Sequence, residues 1–367
     1  MISDRLRSIV RCPECGGALE GPATDLACQA CGRRYGSSPD YLDLRPHEEF
    51  AEKTKYLDEA LHADGRHAHV SPPLLSAGVR HAMLRKFLRP GPGDAIIDLG
   101  CGSGRELMWN REAGAYLVGV DVSPFFADET RAEVDLVVGD LRRLPVKDGA
   151  FTKAFALDVW EHLSREGLDQ VLRETARVVT PGGQVFVYSH VRKNSRLALG
   201  LRGINRLARF LDRIGAIDLA QERLRKSDHL NPLADLDDLR RVTSAAGFRI
   251  ADIRYYTPLI GGFVENILAR LAERALGRGK KAPAAVARPA PDTDTGGRMA
   301  KHAGESPDAP ARVARARAKA RLAGRGPLYH TLVAVTWLMK LDVVLFGRVP
   351  SGPFFALLVK DGADHRS

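Results

Sequence analysis

At 367 residues and 44% hydrophobic content, the chain has material for two or three domains and a large core. Its 55 Lys and Arg exceed 45 Asp and Glu, a net charge of +10 that points to polyanion contacts rather than to basic partners. Met1 to Val10 mixes acidic and basic residues, and no uncharged apolar run approaches bilayer length, so the expectation excludes a secretion signal and a transmembrane span and places the chain in a reducing cytoplasm.

The first element is a pair of knuckles, Cys12-Pro13-Glu14-Cys15 and Cys28-Gln29-Ala30-Cys31, with twelve residues between them and a glycine after each. A disulfide pair is one outcome for such cysteines. Four thiolates at this spacing can also close a tetrahedral zinc site, and the metal then supplies folding energy to a segment too short for its own core. With no open position the zinc is structural. The module is expected over 8–46, separable from the remainder of the chain, so that Cys12→Ser would release zinc and leave the rest folded. Residues 47–90 read as a helical connector. His62, His67 and His69 lack a carboxylate or cysteine at ligand spacing and read as exposed or capping residues. Pro72 and Pro73 mark a break, and Gly78 to Leu88 is a helix.

The apolar run Ala95-Ile96-Ile97 leads into Asp98-Leu99-Gly100-Cys101-Gly102-Ser103-Gly104, and the segment from Arg105 to Ala113 can begin a helix. Glycine lets the backbone turn tightly or approach a ligand where a Cβ would clash. The helix start aims its free amides at the same place. The result is a nucleotide-type cradle at the carboxyl end of a parallel strand. Gly-x-Gly-x-x-Gly and Gly-Lys-Ser/Thr are both absent, which excludes the dinucleotide fingerprint and the P-loop. Further strands follow: Tyr116 to Asp121, Leu136 to Asp140, Phe151 to Asp158, and Gln184 to His190 after Pro181-Gly182-Gly183. Ala245-Ala246-Gly247-Phe248 opens another.

This order resembles the class I S-adenosylmethionine-dependent methyltransferases (type 11-like) over roughly residues 90–257, with a final strand at Pro353 to Lys360. The resemblance implies a Rossmann-like, doubly wound α/β sheet of seven strands, the last one antiparallel at or near the edge. It divides the chain into a core at 91–258, an insertion at 259–350 and a closing strand at 351–361. It implies S-adenosylmethionine as cofactor, held by Asp98 at the ammonium, by Gly100, Gly102 and Gly104, by Asp121 and Val122 at the ribose, by Asp140 and Leu141 at the adenine, and by Asp158. An acid about 20 residues past the glycine loop suits ribose hydroxyls on general grounds as well, although strand-end acids also cap the next helix. Cys101 reads as a packing residue. The knuckles resemble the zinc ribbons that accompany many methyltransferases, with Tyr35 to Leu42 departing from their usual continuation.

The insertion holds an amphipathic helix at Gly262 to Leu276, with Phe263, Val264, Ile267, Leu268, Leu271 and Ala275 on one face. Residues 277–325 carry twelve Lys or Arg and four acids among Ala, Pro and Gly, and read as a disordered basic linker. It serves as a spacer or as a contact for RNA or an anionic membrane. Leu328 to Phe346 is apolar almost all round but broken by Lys340 and Asp342, which reads as a buried or interfacial helix rather than a span. From Leu197 to Ile214, Arg202, Arg206, Arg209 and Arg213 recur at helical spacing along one face, with Leu201, Ile204, Leu207, Ala208 and Leu211 mainly on the other. That helix reads either as a lid for an anionic or amphiphilic acceptor or as an ordinary solvated helix.

A sulfonium methyl is already activated, so alignment and water exclusion are the main tasks, and a base is needed only when the nucleophile must lose a proton. Candidates are Asp158, Glu161, His162, Tyr188, His190 and His229, with His162 (and Glu161 beside it) chosen for acid–base work because histidine titrates near neutrality. No Asn/Asp-Pro-Pro-Tyr follows the fourth strand, which argues against the exocyclic-amine nucleic-acid enzymes. Three functions stay open: O- or C-methylation of a small-molecule or lipid-linked acceptor near the inner face of the membrane, RNA methylation, and a non-catalytic zinc-ribbon scaffold. The oligomeric state is left open.

Overall fold

The computed structural model describes residues 2–46, 70–192, 198–217, 219, 229–272 and 325–362. His62, His67 and His69 and nearly all of the basic linker lie outside these residues.

Two kinds of sheet form. The short strands β1 (Leu19–Glu20), β2 (Asp25–Cys28) and β3 (Arg34–Gly36) make an antiparallel three-stranded ribbon behind the helix α1 (Asp4–Ile9). The main sheet is built from β4 (Leu42–Asp43), β5 (Ala95–Leu99), β6 (Tyr116–Asp121), β7 (Asp135–Val138), β8 (Phe151–Leu157), β9 (Val179–His190), β10 (Phe248–Tyr255) and β11 (Pro353–Lys360). Its order is β10-β11-β9-β8-β5-β6-β7-β4. All pairings are parallel except those of β11, which runs antiparallel to both β9 and β10.

Nearly every residue of the central strands is buried, as a parallel sheet covered on both faces requires. Side chains alternate between two cores. Ile97, Leu99, Val118, Val120, Ala154 and Val187 pack with Leu168 and Leu172 of α5 (Arg165–Val178) and with Leu239 and Val242 of α7 (Leu236–Ala245). Ile96, Leu117, Leu136, Phe155, Phe186 and Phe355 pack with Val79, Leu84 and Phe87 of α2 (Leu75–Leu88). Ser164 and Asp235 cap α5 and α7 by accepting from the amides of Gly167 and Asp238, 3.0 Å each. The expected doubly wound α/β fold is therefore present.

The structure adds three details. The sheet has eight strands, because Leu42–Asp43 of the N-terminal module adds itself in parallel beside β7. The antiparallel strand β11 lies near the edge as expected, one place inside it, with β10 at the edge itself. The ribbon also packs into the core: Leu6, Val10, Cys12, Leu26, Tyr35, Leu42 and Leu44 belong to the same apolar cluster as β5 and β8. Arg11 N donates to Pro145 O (3.0 Å), Lys147 N donates to Ile9 O (2.7 Å), and Glu14 pairs with Arg143 across the junction.

The insertion packs on the core through buried polar links. The helices α8 (Leu259–Phe263) and α9 (Pro327–Phe346) meet where the fully buried Asp342 accepts from the amides of Ile260 (3.0 Å) and Gly261 (2.8 Å). Thr336 of α9 and Glu265 cap α2, accepting from Leu75 N (2.7 Å) and Ser76 N (3.0 Å). A π-helical turn, Val264–Leu268, continues α8. Its wider turn splits the apolar stripe expected for this helix: Val264 and Ile267 are buried, while Phe263, Leu268 and Leu271 are exposed. By length and composition α9 is also sufficient to cross a bilayer, which the interruptions at Lys340 and Asp342 had argued against.

Replacing Asp342 with Ala would strand two buried amides and is expected to lower stability by about 1–3 kcal/mol for each unsatisfied group. A urea denaturation midpoint equal to that of the parent protein would show that this joint does not stabilise the fold.

Candidate functional site

The predicted cofactor residues converge because β8, β5, β6 and β7 are neighbours and parallel, so their carboxyl ends share one rim. The strand order reverses between β5 and β8, where open α/β sheets bind ligands. Gly100, Gly102 and Gly104 all have positive φ, and two of them are held for steric reasons. A Cβ on Gly100 would meet Val159 Cγ2 at 2.6 Å, and one on Gly104 would meet Thr130 Cγ2 at 2.3 Å. Around Gly102 a Cβ would find nothing within 4 Å, so open space lies over the loop. Gly104 begins the short helix α3 (Arg105–Asn110).

Asp121 ends β6 and holds this loop. Its Oδ2 accepts from Gly102 N (2.7 Å), and its Oδ1 accepts from Ser123 N (2.9 Å) and Ser123 Oγ (2.8 Å). Val122 follows it, half-buried. Asp140 follows β7 at Gly139, accepts from Arg142 N (2.9 Å) and pairs with the Arg142 guanidinium (2.9 Å), so it caps the turn Leu141–Arg143. Asp98 is buried on β5. Burial pushes its carboxyl well above the usual carboxylate range, and the negative charges of Glu106 and Asp121 add to that.

A second group of side chains lies beside this rim, after β8 and at the end of β9. Asp158 adopts a left-handed φ of 56°, uncommon for a non-glycine residue, and faces Arg80 of α2 at 3.4 Å. Arg80 also lies over the Tyr188 ring, 5.4 Å from its centroid. Burial works against its charge, but Asp158 and neighbouring groups prevail and hold its guanidinium above the ordinary value. Glu161 is buried. Its Oε2 accepts from Ser189 Oγ (2.8 Å), and its Oε1 lies 3.5 Å from His190 Nδ1. Burial raises the Glu161 carboxyl, but His190 and His162 outweigh it, and the group stays below its usual range. His162 meets His229 edge to face with ring centroids 4.7 Å apart.

Residues 97–187 match the protein family described as Methyltransferase domain. Over these residues of the core the chain is similar to that family. Among curated relatives, the methyltransferase GfsG of Streptomyces halstedii is 33% identical over 31% of this chain and 45% of its own length. The ubiquinone biosynthesis O-methyltransferase of Azorhizobium caulinodans is 32% identical over 40% of this chain and 62% of its own. The mouse tRNA (carboxymethyluridine(34)-5-O)-methyltransferase ALKBH8 is 31% identical over 37% of this chain and 21% of its own. The chain thus spans less than two thirds of each of these relatives.

The four cysteines of the N-terminal module form one cluster, with all four Sγ within 4.8 Å of one another. Cys12 and Cys31 lie 3.8 Å apart, and Cys15 and Cys28 lie 3.4 Å apart. Each knuckle turns back on itself, Gly16 N donating to Cys12 O (2.8 Å) and Gly32 N to Cys28 O (2.9 Å). Both glycines have the positive φ these turns need. A Cβ on Gly17 would lie 2.9 Å from Cys28 Sγ, so the backbone leaves room only for the thiols. This donor set suits zinc, which Cys12, Cys15, Cys28 and Cys31 would hold.

Sequence reasoning missed Arg80. It lies on the connector helix, far from any motif, and only the fold carries it to Asp158 and Tyr188. It also missed the Thr130 and Val159 methyls that press on the glycine loop.

Because the ribbon shares the core, Cys12→Ser is expected to lose its metal and to destabilise the whole molecule by more than about 4 kcal/mol, the range in which loss of a structural metal falls. Metal analysis and calorimetric melting test this together. A metal-free variant that melts at the parent temperature would overturn it.

Proposed function

We propose that this protein transfers a methyl group from S-adenosylmethionine to a small-molecule or lipid-linked acceptor, at oxygen or carbon. The observation that carries the proposal is the open cradle over Gly102, held by Asp121 at the reversal point of a parallel sheet. The residues fit the cofactor. Open space lies over Gly102, and Asp98 is a buried carboxyl next to two other acids, a position that calls for a cation such as the ammonium of the methionine end. Asp121 retains acceptor capacity for ribose hydroxyls beside its three donors.

The cofactor supplies an activated methyl on sulfonium. The chain supplies alignment beside Tyr188, which stacks on Phe355 at 4.9 Å, and beside the Arg80–Asp158 pair. Where the acceptor must lose a proton, His162 is the group placed to take it, and the buried Glu161 positions the turn that carries it.

The insertion supports an amphiphilic acceptor at a membrane surface. Helix α6 (Ala198–Arg213) exposes Leu199, Leu207 and Phe210 alongside Arg202, Arg206, Arg209 and Arg213. Helix α9 exposes Trp337, Val344 and Leu345. Basic and apolar groups on one surface suit anionic headgroups over acyl chains, as at the cytoplasmic face of a membrane. The tRNA methyltransferase among the relatives and the basic sequence at 277–325 favour RNA as the second reading.

Calorimetric titration with S-adenosylhomocysteine is expected to give micromolar binding that weakens by about 1–3 kcal/mol in Asp121→Ala. Affinity should also rise as pH is raised through the elevated Asp98 value, since only the carboxylate attracts the ammonium. No binding by the folded, zinc-loaded protein would refute the proposal. For the acceptor, Trp337→Glu should abolish co-sedimentation with phosphatidylglycerol vesicles. If vesicles never bind and salt-sensitive RNA retention does occur, the acceptor is RNA.

A further inference from the structure

The geometry points to a second metal site, for a divalent first-row transition cation, formed by Glu161, His162 and His229 on the acceptor side of the rim. One ligand atom from each of the three lies within 4.8 Å of the other two, a spacing that small side-chain adjustments around an ion would close. The set is two imidazoles and one carboxylate, the donor combination that binds zinc or ferrous iron while leaving coordination positions open.

The arrangement is built, not incidental to one turn. Glu161 and His162 come from the turn after β8, whereas His229 arrives from the far end of the α6 connection. Its segment is fixed by two backbone hydrogen bonds, with Leu230 N (2.8 Å) and Asn231 N (3.0 Å) both donating to Glu161 O. Asn231 takes the left-handed φ of 47° just beyond. Ser189 Oγ holds the other carboxylate oxygen of Glu161, as outer partners of metal-binding carboxylates commonly do. His190 adjoins the same carboxylate. Its Nδ1 is buried, has no hydrogen-bond partner among the described residues, and lies 3.5 Å from Glu161 Oε1. A cation with bound water beside Glu161 would give that nitrogen a partner. His162 and His229 are half-buried, so the site has solvent access on their side.

Unlike the cysteine cluster, this site is not closed. Its open positions would take a hydroxyl oxygen of the acceptor and lower its pKa, with the proton released to solvent, so that with the ion bound His162 would serve as a ligand and not as the base. This use rests on the methyl-transfer reading, whereas the binding of the ion does not.

The test is titration of the full, zinc-loaded chain with Co2+, followed by optical absorption and metal analysis. The expected result is a further equivalent of Co2+ with weak d–d bands and no intense thiolate charge transfer, because the cysteine site already holds zinc. That equivalent should be lost in His229→Ala and kept in Cys101→Ser. S-adenosylhomocysteine binding, measured on the same samples, reads the methyl-donor site separately, so failure of one proposal is distinguishable from failure of the other. Absence of the additional equivalent in the parent protein, or its persistence in His229→Ala, would overturn the site.

Discussion

The hydrogen bond from Gly102 N to the Asp121 carboxylate holds the two central strands and the ligand loop in one geometry. Without it, the turn after β5 would have three positive-φ glycines and little to choose among their conformations. With it, the loop is tied to the end of the neighbouring strand, and Val159 and Thr130 close the spaces that side chains on Gly100 or Gly104 would need. Glycine here is constrained from outside: the loop is permissive in isolation and single-valued in the fold. The cradle is thus prepared before any ligand arrives, which lowers the ordering cost of binding.

The two parts that looked like additions are both integrated. The N-terminal module lends a strand to the sheet, apolar side chains to the core and Glu14 to Arg143. The insertion lends Thr336 and Glu265 to the first turn of α2, whose own N-cap position, Leu74, has no side-chain acceptor. Arg80 lies on that same helix. A shift of α9 would therefore be felt at the Arg80–Asp158 pair through a short, continuous chain of contacts.

Much of the domain was legible from the sequence because its signals are local. Apolar runs ending in Asp121 and Asp140, glycines at alternate positions and paired Cys-x-x-Cys knuckles each report on a few adjacent residues. The closing strand was legible too, with bounds of Pro353 and Lys360 that match the structure. What escaped was relational. Leu42–Asp43 is two residues long and is a strand only because β7 offers it a free edge. The π turn at Val264–Leu268 changes which side chains share a face without changing the apolar spacing. Arg80 has no motif around it, and the meeting of His229 with His162 depends on a connection whose path periodicity does not encode.

The position of β11 has a consequence for how such a protein can diversify. Strands β10 and β11 lie side by side and antiparallel, so the whole segment from 259 to 350 leaves and re-enters the sheet at neighbouring points. Its closure entropy depends only logarithmically on length, about 0.6 kcal/mol per doubling. Segments of very different size and composition can thus be hung from the same hairpin base at almost equal cost. What any such segment must keep is the pair of caps that Thr336 and Glu265 place on α2.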